Sequence, residues 1–225
     1  MFTMQNKDII KFNKFFINNK FSNKSIFFFL EYFLIMFKKY INRILIYNKT
    51  NYISIELKHY SFLFNILELL KKYFFFDTLS DLICVDYLTK KTLFNFFSKS
   101  RFQLNYVLCN YYWNIYLTIV VDPKATFSNN DEILSINTIY QGSNWLEREN
   151  WDMFGLIFLN HPDLRRIFTD YGFNGFPLRK DFPLCGFIEI YYDDDKKSIL
   201  YQPVRFAQEY RNFIFVNPWD TYANV

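Results

Sequence analysis

The chain is poor in the residues that most often build metal and disulfide sites. Its 225 residues include three cysteines, Cys84, Cys109 and Cys185, and two histidines, His59 and His161. No two cysteines stand in a C-x-x-C spacing, which argues against a disulfide scaffold and against a zinc or iron–sulfur site built from cysteine. The histidines lie far apart in sequence, so a histidine-based metal site would need an unusual mixed set of ligands.

Glycine and proline are almost absent from the first part of the chain. All five glycines follow residue 140, and Pro123 is the one proline of six that precedes it. This distribution predicts regular helices and strands in the first part, and loops with extended chain in the last third. The glycines form neither a G-x-G-x-x-G pattern nor a P-loop, so a phosphate-binding loop is unsupported.

Long hydrophobic runs are lacking as well. The most apolar run, 25–37, contains Glu31 and ends at Lys38 and Lys39. It is shorter than the roughly 18–20 apolar residues that a membrane-spanning helix needs. The run therefore predicts a buried helix, with an amphipathic helix at a membrane surface as the less favoured alternative.

Excess positive charge is confined to one end of the chain. The formal net charge is +4, and residues 1–24 carry five lysines against Asp8 alone, which accounts for the whole excess. We therefore expect a basic, polar N-terminal arm over 1–24 and a neutral body. A nucleic-acid-binding module that uses the arm is the alternative function, and the neutral body disfavours it. The arm resembles neither a secretory signal nor a mitochondrial transit peptide, so a protein working in an organelle would be made there.

Hydrophobic periodicity predicts an α+β domain over residues 25–141. Helical spacing covers 26–46 and 61–74, and alternating apolar residues predict strands at 52–58, 82–88, 102–109 and 113–121. We expect Asn110 and Tyr111 to join the last two strands as a tight hairpin, and 93–100 to be a loop inserted in the sheet. This order of elements predicts a mostly antiparallel sheet with helices on one face.

The remaining segment, 142–225, begins with one more helix and then loses its periodicity. The helix is predicted over 144–154, with Asn144 as N-cap, Glu147 in the reciprocal capping position and Gly155 just past the C-terminus. Ordering each residue after Gly155 costs about 1–2 kcal/mol of backbone entropy, which a segment without clear elements cannot offset alone. Because the segment is rich in large apolar residues, we predict that it is ordered against the N-terminal domain or a partner.

The charged residues of this segment allow two interpretations. Glu149 and Asp152 are three residues apart on the predicted helix and could form an acid/base pair. They could instead receive salt bridges from Arg165, Arg166 and Arg179, whose planar guanidinium groups suit carboxylates. The second interpretation is favoured, because no nucleophile with an adjacent base stands nearby.

Two further polar features also have competing interpretations. His161 could be a metal ligand or a general acid, but a buried or capping structural histidine is favoured. The acidic run Asp193–Asp195, followed by two lysines, could bind a cation, but a solvated turn between two strands is favoured. Neither feature therefore predicts a catalytic or metal site.

A dense signature overlaps the predicted helix and continues beyond it. It consists of Glu147–Glu149, Trp151–Gly155, His161–Ile167, Asp170–Phe173, Gly175 and Pro177–Pro183. These residues and their spacing closely resemble the signature of the 30-kDa subunit of respiratory complex I, the proton-pumping NADH:ubiquinone oxidoreductase. The resemblance covers roughly 25–225 and is strongest from 143 onward. Asn150 within the signature and Gln202 beyond it depart from the family pattern.

The resemblance implies a function. It implies a non-catalytic core subunit of the peripheral arm, which scaffolds the quinone-reducing module while electrons pass from NADH to ubiquinone. The chain would belong to an H⁺-translocating enzyme and bind no cofactor itself, because FMN and the iron–sulfur clusters lie on other subunits. Its largely extended C-terminal segment would wrap the 49-kDa quinone-site subunit and neighbouring peripheral-arm subunits. The implied location is the matrix-facing side of the mitochondrial inner membrane, without a transmembrane span, for an organelle-encoded protein.

The resemblance also implies interface or structural residues, and no catalytic, cofactor-binding or metal-binding ones. These residues are Glu147, Arg148, Glu149, Asp152, Gly155, His161, Arg165, Arg166, Asp170, Gly175, Pro177, Arg179, Lys180 and Asp181. The carboxylates of the helix are expected to form a charged network with the arginines, which fixes the path of the C-terminal segment. The glycines and prolines are expected to set its turns.

Overall fold

A computed structural model describes residues 2–5, 24–47, 51–87, 101–123, 133–209, 211 and 213. The predicted loop insertion at 93–100 lies outside the described residues, as does most of the predicted arm. None of the helices in these ranges is both long enough and apolar enough to cross a membrane.

The N-terminal domain is built on a six-stranded sheet. Its strands are β1 Phe2–Gln5, β2 Ile41–Tyr47, β3 Tyr52–Leu57, β4 Thr78–Asp86, β5 Phe102–Asn110 and β6 Ile115–Val121. They lie in the order β1-β2-β3-β6-β5-β4, and every neighbouring pair is antiparallel except β3 and β6. The predicted α+β class with a mostly antiparallel sheet is therefore confirmed. Strand β1 lies within the predicted arm, so the beginning of that arm joins the sheet.

The predicted helix over 26–46 is wrong in its second half. Helix α1 spans Lys24–Phe37 and ends in a turn at 38–40, after which the chain becomes β2. Strand β2 pairs with β3 on one side and with β1 on the other. The isoleucines of this stretch, which suit helical spacing, are β-branched and also suit a strand. The two strand neighbours decide the conformation, and no local pattern reveals them.

The other elements of the domain follow the predictions more closely. Helix α2 spans Leu63–Phe74, and strands β3 to β6 occupy the predicted regions. The hairpin between β5 and β6 differs, because Asn110 pairs with Ile115 across a four-residue turn. Asn114 in that turn has a φ of 51°, a left-handed conformation that asparagine tolerates better than most residues. The two-residue turn predicted from Asn110 and Tyr111 was therefore too short.

One hydrophobic core joins both helices to one face of the sheet. Ile55 pairs with Ile119, and Ile119 pairs with Tyr106, so these three side chains point to the same side. The buried cluster includes Phe29, Leu30, Phe33, Ile44, Ile53, Ile55, Ile66, Leu67, Leu70, Leu104, Tyr106, Leu117 and Ile119. Because both helices contribute to a cluster on that face, the predicted placement of the helices on one side is confirmed.

The C-terminal segment leaves this domain through helix α3, which spans Ser143–Phe154 and packs against β4. Gly142 is its N-cap residue and no side chain caps that end, so the predicted capping role of Asn144 is wrong. Beyond α3, the short strand β8 (Phe158–Leu159) pairs with β7 (Ile133–Leu134). After a long irregular stretch, β9 (Ile188–Asp193) and β10 (Ser198–Pro203) form an isolated hairpin. Asp193–Asp195 lie at its turn, as predicted.

Candidate functional site

The buried face of α3 binds a neighbouring loop through Glu147. The side chain of Glu147 is fully buried, and its two carboxylate oxygens accept hydrogen bonds from Ser135 Oγ (2.6 Å) and from the backbone N–H of Ile136 (2.8 Å). Burial raises the pKa of this carboxyl, and the bonds from Ser135 and Ile136 oppose that rise. The reciprocal capping role predicted for Glu147 is wrong, because the carboxylate reaches across to another segment.

His161 lies next to Glu147 and is fully occupied by structural contacts. Its side chain is buried, and Nδ1 accepts a hydrogen bond from the backbone N–H of Asp163 at 3.1 Å. The other ring nitrogen, Nε2, lies 3.3 Å from the carbonyl oxygen of Asn144 and 3.7 Å from the Glu147 carboxylate. This arrangement supports the structural interpretation of His161.

Asp152 is the centre of the site. One of its oxygens accepts hydrogen bonds from three consecutive backbone N–H groups, those of Ile167 (3.1 Å), Phe168 (2.7 Å) and Thr169 (3.0 Å). The other oxygen accepts from Thr169 Oγ1 at 2.7 Å and from Arg166 Nη1 at 3.0 Å. The side chain is fully buried, so one carboxylate closes the bend at 166–169 against the helix.

The charge of Asp152 is stabilised by these donors. Burial raises its pKa, but the Thr169 hydroxyl and the three backbone N–H groups outweigh that effect, so the pKa lies below its ordinary value. A carboxyl group whose pKa is lower in the folded state stabilises that state fully at pH values above its pKa in the unfolded chain. That contribution is lost as pH falls through the lowered value, so the site is intact near neutral pH.

Arg166 extends the contacts of Asp152 to the next turn. The same Nη1 atom also donates to the carbonyl oxygen of Gly175 at 2.9 Å. The guanidinium carbon lies 5.0 Å from the ring centre of Phe176 and 5.8 Å from that of Phe173, distances typical of cation–π contacts. Gly175 has a φ of 128°, and a Cβ there would lie 2.7 Å from the ring of Phe182. Only glycine fits this close approach.

Arg179 terminates α3. Its Nε donates to the carbonyl oxygen of Phe154 at 2.6 Å, and its guanidinium group stacks 4.2 Å from the ring centre of Phe176. Gly155 ends the helix with a φ of 75°, as predicted, and a Cβ there would lie 2.6 Å from the Phe176 ring. The predicted ion pair of Arg179 with the helix carboxylates is replaced by this cap, which satisfies a helix C-terminal carbonyl.

A second ionic cluster anchors the segment to the sheet, and the sequence did not reveal it. Arg101 donates to both oxygens of Asp86, at 3.0 and 2.8 Å, and also pairs with Asp181 at 2.9 Å. Asp86 in turn accepts the backbone N–H of Lys180 at 2.9 Å. Asp86 and Arg101 lie at the ends of β4 and β5, far from the signature in sequence. They belong to no recognisable motif, so only the paired strands bring them to the C-terminal segment.

The charged network predicted for the segment is smaller than expected. Glu149 is exposed, and no hydrogen bond or ion pair joins it to the described residues. Arg165 pairs with Asp163 on the surface at 2.7 Å, and Arg148 donates to the backbone carbonyl of Arg165 at 3.1 Å. Asp152 with Arg166 is thus the one predicted ion pair that forms between α3 and the arginines within the described ranges. An acid/base pair of Glu149 and Asp152 has no geometric support.

Three other predicted site residues have local roles. Asp170 is exposed and accepts the backbone N–H of Tyr171 at 2.8 Å. Lys180 is exposed and contributes its backbone N–H to Asp86, whereas Pro177 is partly buried. The side chains of all three residues lie outside the contacts of Asp152.

Asn150 has a structural role that the sequence did not suggest. It is buried, and its Nδ2 donates to the carbonyl oxygen of Leu82 at 2.9 Å and to that of Leu146 at 2.8 Å. Leu82 lies in β4, which is the last strand at its side of the sheet. The residue that departs from the family pattern therefore joins α3 to that edge strand.

No metal centre emerges from the described part of the chain, because no three histidine, cysteine or acidic side chains there are grouped to hold an ion. Cys84 and Cys109 are buried and Cys185 is exposed. Burial raises the pKa of the Cys84 thiol, which keeps it protonated and unreactive at neutral pH.

Comparison with known proteins identifies the family. The chain matches the model of the family described as "Respiratory-chain NADH dehydrogenase, 30 Kd subunit" over residues 59–187. The NADH-ubiquinone oxidoreductase subunit 9 of Acanthamoeba castellanii is 49% identical over 145 residues, which cover 64% of this chain and 67% of that protein. The protein of the same name from Dictyostelium discoideum is 42% identical over 178 residues, covering 77% of this chain and 80% of that one.

A solved structure shows the same fold at low identity. It is a chain of the membrane-bound sulfane sulfur reductase, an archaeal respiratory membrane complex, with a TM-score of 0.57 at 17% identity, covering 83% of this chain and 97% of that chain. The family match takes in α2, the three strands β4, β5 and β6 of the six-stranded sheet, α3 and the contacts of Asp152. The chain belongs to the family of the 30-kDa subunit of respiratory-chain NADH dehydrogenase, as the resemblance of its signature predicted.

Proposed function

We propose that this subunit of the NADH:ubiquinone oxidoreductase complex is a non-catalytic scaffold of the peripheral arm, and that its C-terminal segment packs on neighbouring subunits. The 49-kDa quinone-site subunit is the chief partner in this proposal. Family membership gives the hetero-oligomeric complex, and the exposed apolar surface of the segment supports the docking role.

The observation that carries the proposal is the exposure of large apolar side chains after α3. Tyr171 is 98% exposed and Leu184 is 84% exposed. The other exposed members include Ile157, Phe168, Leu178, Phe187, Ile188, Ile190, Tyr191, Tyr192, Ile199, Tyr201, Phe206 and Phe213. Soluble monomers rarely expose large apolar patches, and a concentration of exposed apolar side chains in one segment is typical of protein interfaces.

The hairpin of β9 and β10 concentrates this surface on one face. Ile188, Ile190 and Tyr192 alternate along β9, and each lies opposite an apolar residue of β10, namely Pro203, Tyr201 and Ile199. All six of these residues are exposed, so one face of the hairpin is apolar and largely open to solvent. An isolated two-stranded hairpin is only marginally stable in water, and a partner on this face would stabilise it.

We propose that the chain has no catalytic residues because the candidate side chains are already engaged in hydrogen bonds within it. Asp152, Glu147 and His161 are buried, and all three accept or donate hydrogen bonds within the chain. None of them is available to a substrate without loss of a structural bond. The proposal therefore assigns FMN, the iron–sulfur clusters and the quinone chemistry to other subunits, and no cofactor to this chain.

The proposed location is the matrix-facing side of the mitochondrial inner membrane. The subunit 9 relatives from Acanthamoeba and Dictyostelium support a mitochondrial protein, and organelle encoding is part of the same proposal. We further propose a division into an arm at 1–24, a sheet domain at 25–141 and a docking segment at 142–225, with β1 as the part of the arm that joins the sheet. The nucleic-acid alternative gains no support from these relatives.

The docking role can be tested with the double variant Tyr192→Ser and Ile199→Ser. Both residues are exposed on the apolar hairpin face, so we expect the isolated chain to keep its stability while less of it enters the complex. The measurement is native electrophoresis of gently solubilised membranes, with the chain detected beside NADH-oxidising activity. Tyr112→Ser is the matched control, because Tyr112 is 79% exposed on the turn between β5 and β6. Normal assembly of the double variant with a sharp fall in turnover per complex would contradict the scaffold role.

A further inference from the structure

A small cavity lies where the turn after Asp170 meets the apolar face of the hairpin. Its volume is about 130 Å³, and its walls include Phe173, Phe182, Phe187, Ile190 and Tyr201. The cavity is several times larger than the roughly 30 Å³ that one water occupies in the liquid. It therefore has room for the head group of one side chain.

The aromatic walls meet at different angles. Phe182 is tilted by 47° against Phe173 at a centroid distance of 5.9 Å, and it meets Phe187 edge to face at 83° and 5.5 Å. Aromatic faces carry partial negative charge, and they attract a cation that lies over them. Rings at different angles can also contact one cation from several sides, as in the aromatic cages that bind ammonium groups.

The charge around the cavity points to the same class of ligand. Asp170 is the one acidic residue among the described residues that line the cavity, and no lysine or arginine of that part of the chain lines it. Asp170 is exposed, and Oδ1 accepts only the N–H of its own turn, from Tyr171. A carboxylate beside aromatic faces is complementary to a cation.

The chain already binds guanidinium groups on aromatic rings in this segment. Arg166 lies over Phe173 and Phe176, and Arg179 lies over Phe176. Both arginines have their own anchors, Asp152 for the first and the Phe154 carbonyl for the second. Since neither is free to enter the cavity, the site suits a cation from another chain.

We propose that the cavity receives an arginine side chain of the subunit on which the hairpin docks. The proposal rests on the proposed function, since Ile188, Ile190 and Tyr201 belong both to the cavity and to the apolar hairpin face. The planar guanidinium stacks on the aromatic wall and pairs with Asp170 at the rim. This contact gives the apolar docking surface a specific orientation, because arginine pairs with carboxylates in a fixed geometry.

The test uses the assembled complex and two cavity variants, Asp170→Asn and Phe187→Leu. The first removes the charge, and the second keeps an apolar side chain but removes the ring. We expect each to weaken retention of the chain in the membrane complex by about 3- to 30-fold, as for loss of a partly desolvated cation–π or ionic contact. Retention is measured by washing membranes with increasing salt and quantifying the released chain.

Three controls make the outcome decisive. Asp194→Asn, in the exposed turn of the hairpin, should release no more chain than wild type, and Asp170→Glu should restore most of the retention. Unchanged retention in both cavity variants, or a loss in Phe187→Leu alone, overturns the proposal, because the occupant is then absent or merely apolar. If the Tyr192→Ser and Ile199→Ser double variant releases the chain while both cavity variants remain bound, docking stands and the arginine contact fails.

Discussion

The sheet domain and the C-terminal segment use the same aromatic-rich composition in opposite ways. In the sheet domain Phe29 and Phe33 are at most 1% exposed, whereas in the segment Phe187 is 64% exposed and Tyr171 is 98% exposed. Aromatic content alone therefore does not reveal where a hydrophobic core lies. The difference arises because the first region contains a sheet that can be covered by its own helices, while the second contains no comparable layer within the described residues.

The two regions also differ in what fixes their backbones. The sheet domain is ordered by strand pairing and by a hydrophobic cluster. The segment between α3 and the hairpin joins that cluster at its start, through Leu156 and Phe158. Beyond them it is ordered chiefly by side chains that bind backbone groups, above all Asp152, Arg166 and Arg179. Polar anchors can set a path without burying apolar surface, which leaves that surface free for another protein.

The largest expected effect is on the free energy of unfolding, which should fall far more for a substitution in the sheet domain than for one in the segment. Phe33→Ala should lower the free energy of unfolding of the full chain by roughly 3–5 kcal/mol, because it removes a fully buried ring and leaves a cavity. Ile199→Ala, at a residue that is 61% exposed, should change it by less than about 0.5 kcal/mol. Urea unfolding followed by circular dichroism measures both. Equal losses would mean that the segment has a core of its own, and the contrast between the regions would be wrong.

The next effect concerns the anchor of the segment. Asp152→Ala should lower the free energy of unfolding by roughly 3 kcal/mol, the lower end of the range for breaking a buried ion pair, because Arg166 keeps 24% of its side chain exposed. Limited proteolysis should then cut the bend at 166–169 faster than in wild type.

Asp163→Ala is the matched control for Asp152→Ala. It also removes a carboxylate that pairs with an arginine, but the partner, Arg165, is 76% exposed. Surface pairs of this kind contribute little, so neither unfolding nor proteolysis should change measurably. A control that unfolds as easily as Asp152→Ala would show that the buried bonds of Asp152 have no special weight.

The smallest of the three effects tests the end of α3. Gly155→Ala should lower the free energy of unfolding by about 1–2 kcal/mol for the left-handed backbone, and somewhat more because the new Cβ meets the Phe176 ring. Gly142→Ala is its control, with an ordinary φ of −62° and nothing within 4 Å of a Cβ. Thermal unfolding of the two variants should differ in sign or clearly in size. Indistinguishable melting curves would refute the requirement for glycine at 155.

Much of the fold followed from local patterns in the sequence, and the exceptions have physical causes. The alternation of Ile53, Ile55 and Leu57 predicted β3, and the helical stripe with Ile66 and Leu70 predicted α2. Strand β2 was missed because its apolar residues also fit helical spacing, and only pairing with β1 and β3 resolves that ambiguity. Local periodicity cannot encode which strand lies alongside. The apolar residues concerned are Ile41, Ile44 and Leu45.

The candidate site was predictable where a residue and its partners lie close together in the sequence. Gly155 ends α3 as predicted, and the pair of Asp152 with Arg166 was within the predicted network. The ionic cluster at the sheet was not predictable, because the contact of Arg101 with Asp181 spans 80 residues of sequence. The role of Glu147 was misjudged for the same reason, since its partners, at 135 and 136, lie in another segment.

The closed bend at 166–169 has a consequence for how quickly and tightly the complex can be built. Because Asp152 accepts hydrogen bonds from three successive amides of the same chain, contacts within the chain itself hold this stretch in one conformation. Association then sacrifices less conformational freedom than the docking of an unstructured tail, whose ordering would cost about 1–2 kcal/mol for each residue. The Asp152 carboxylate therefore preorganises an irregular stretch of the chain for binding.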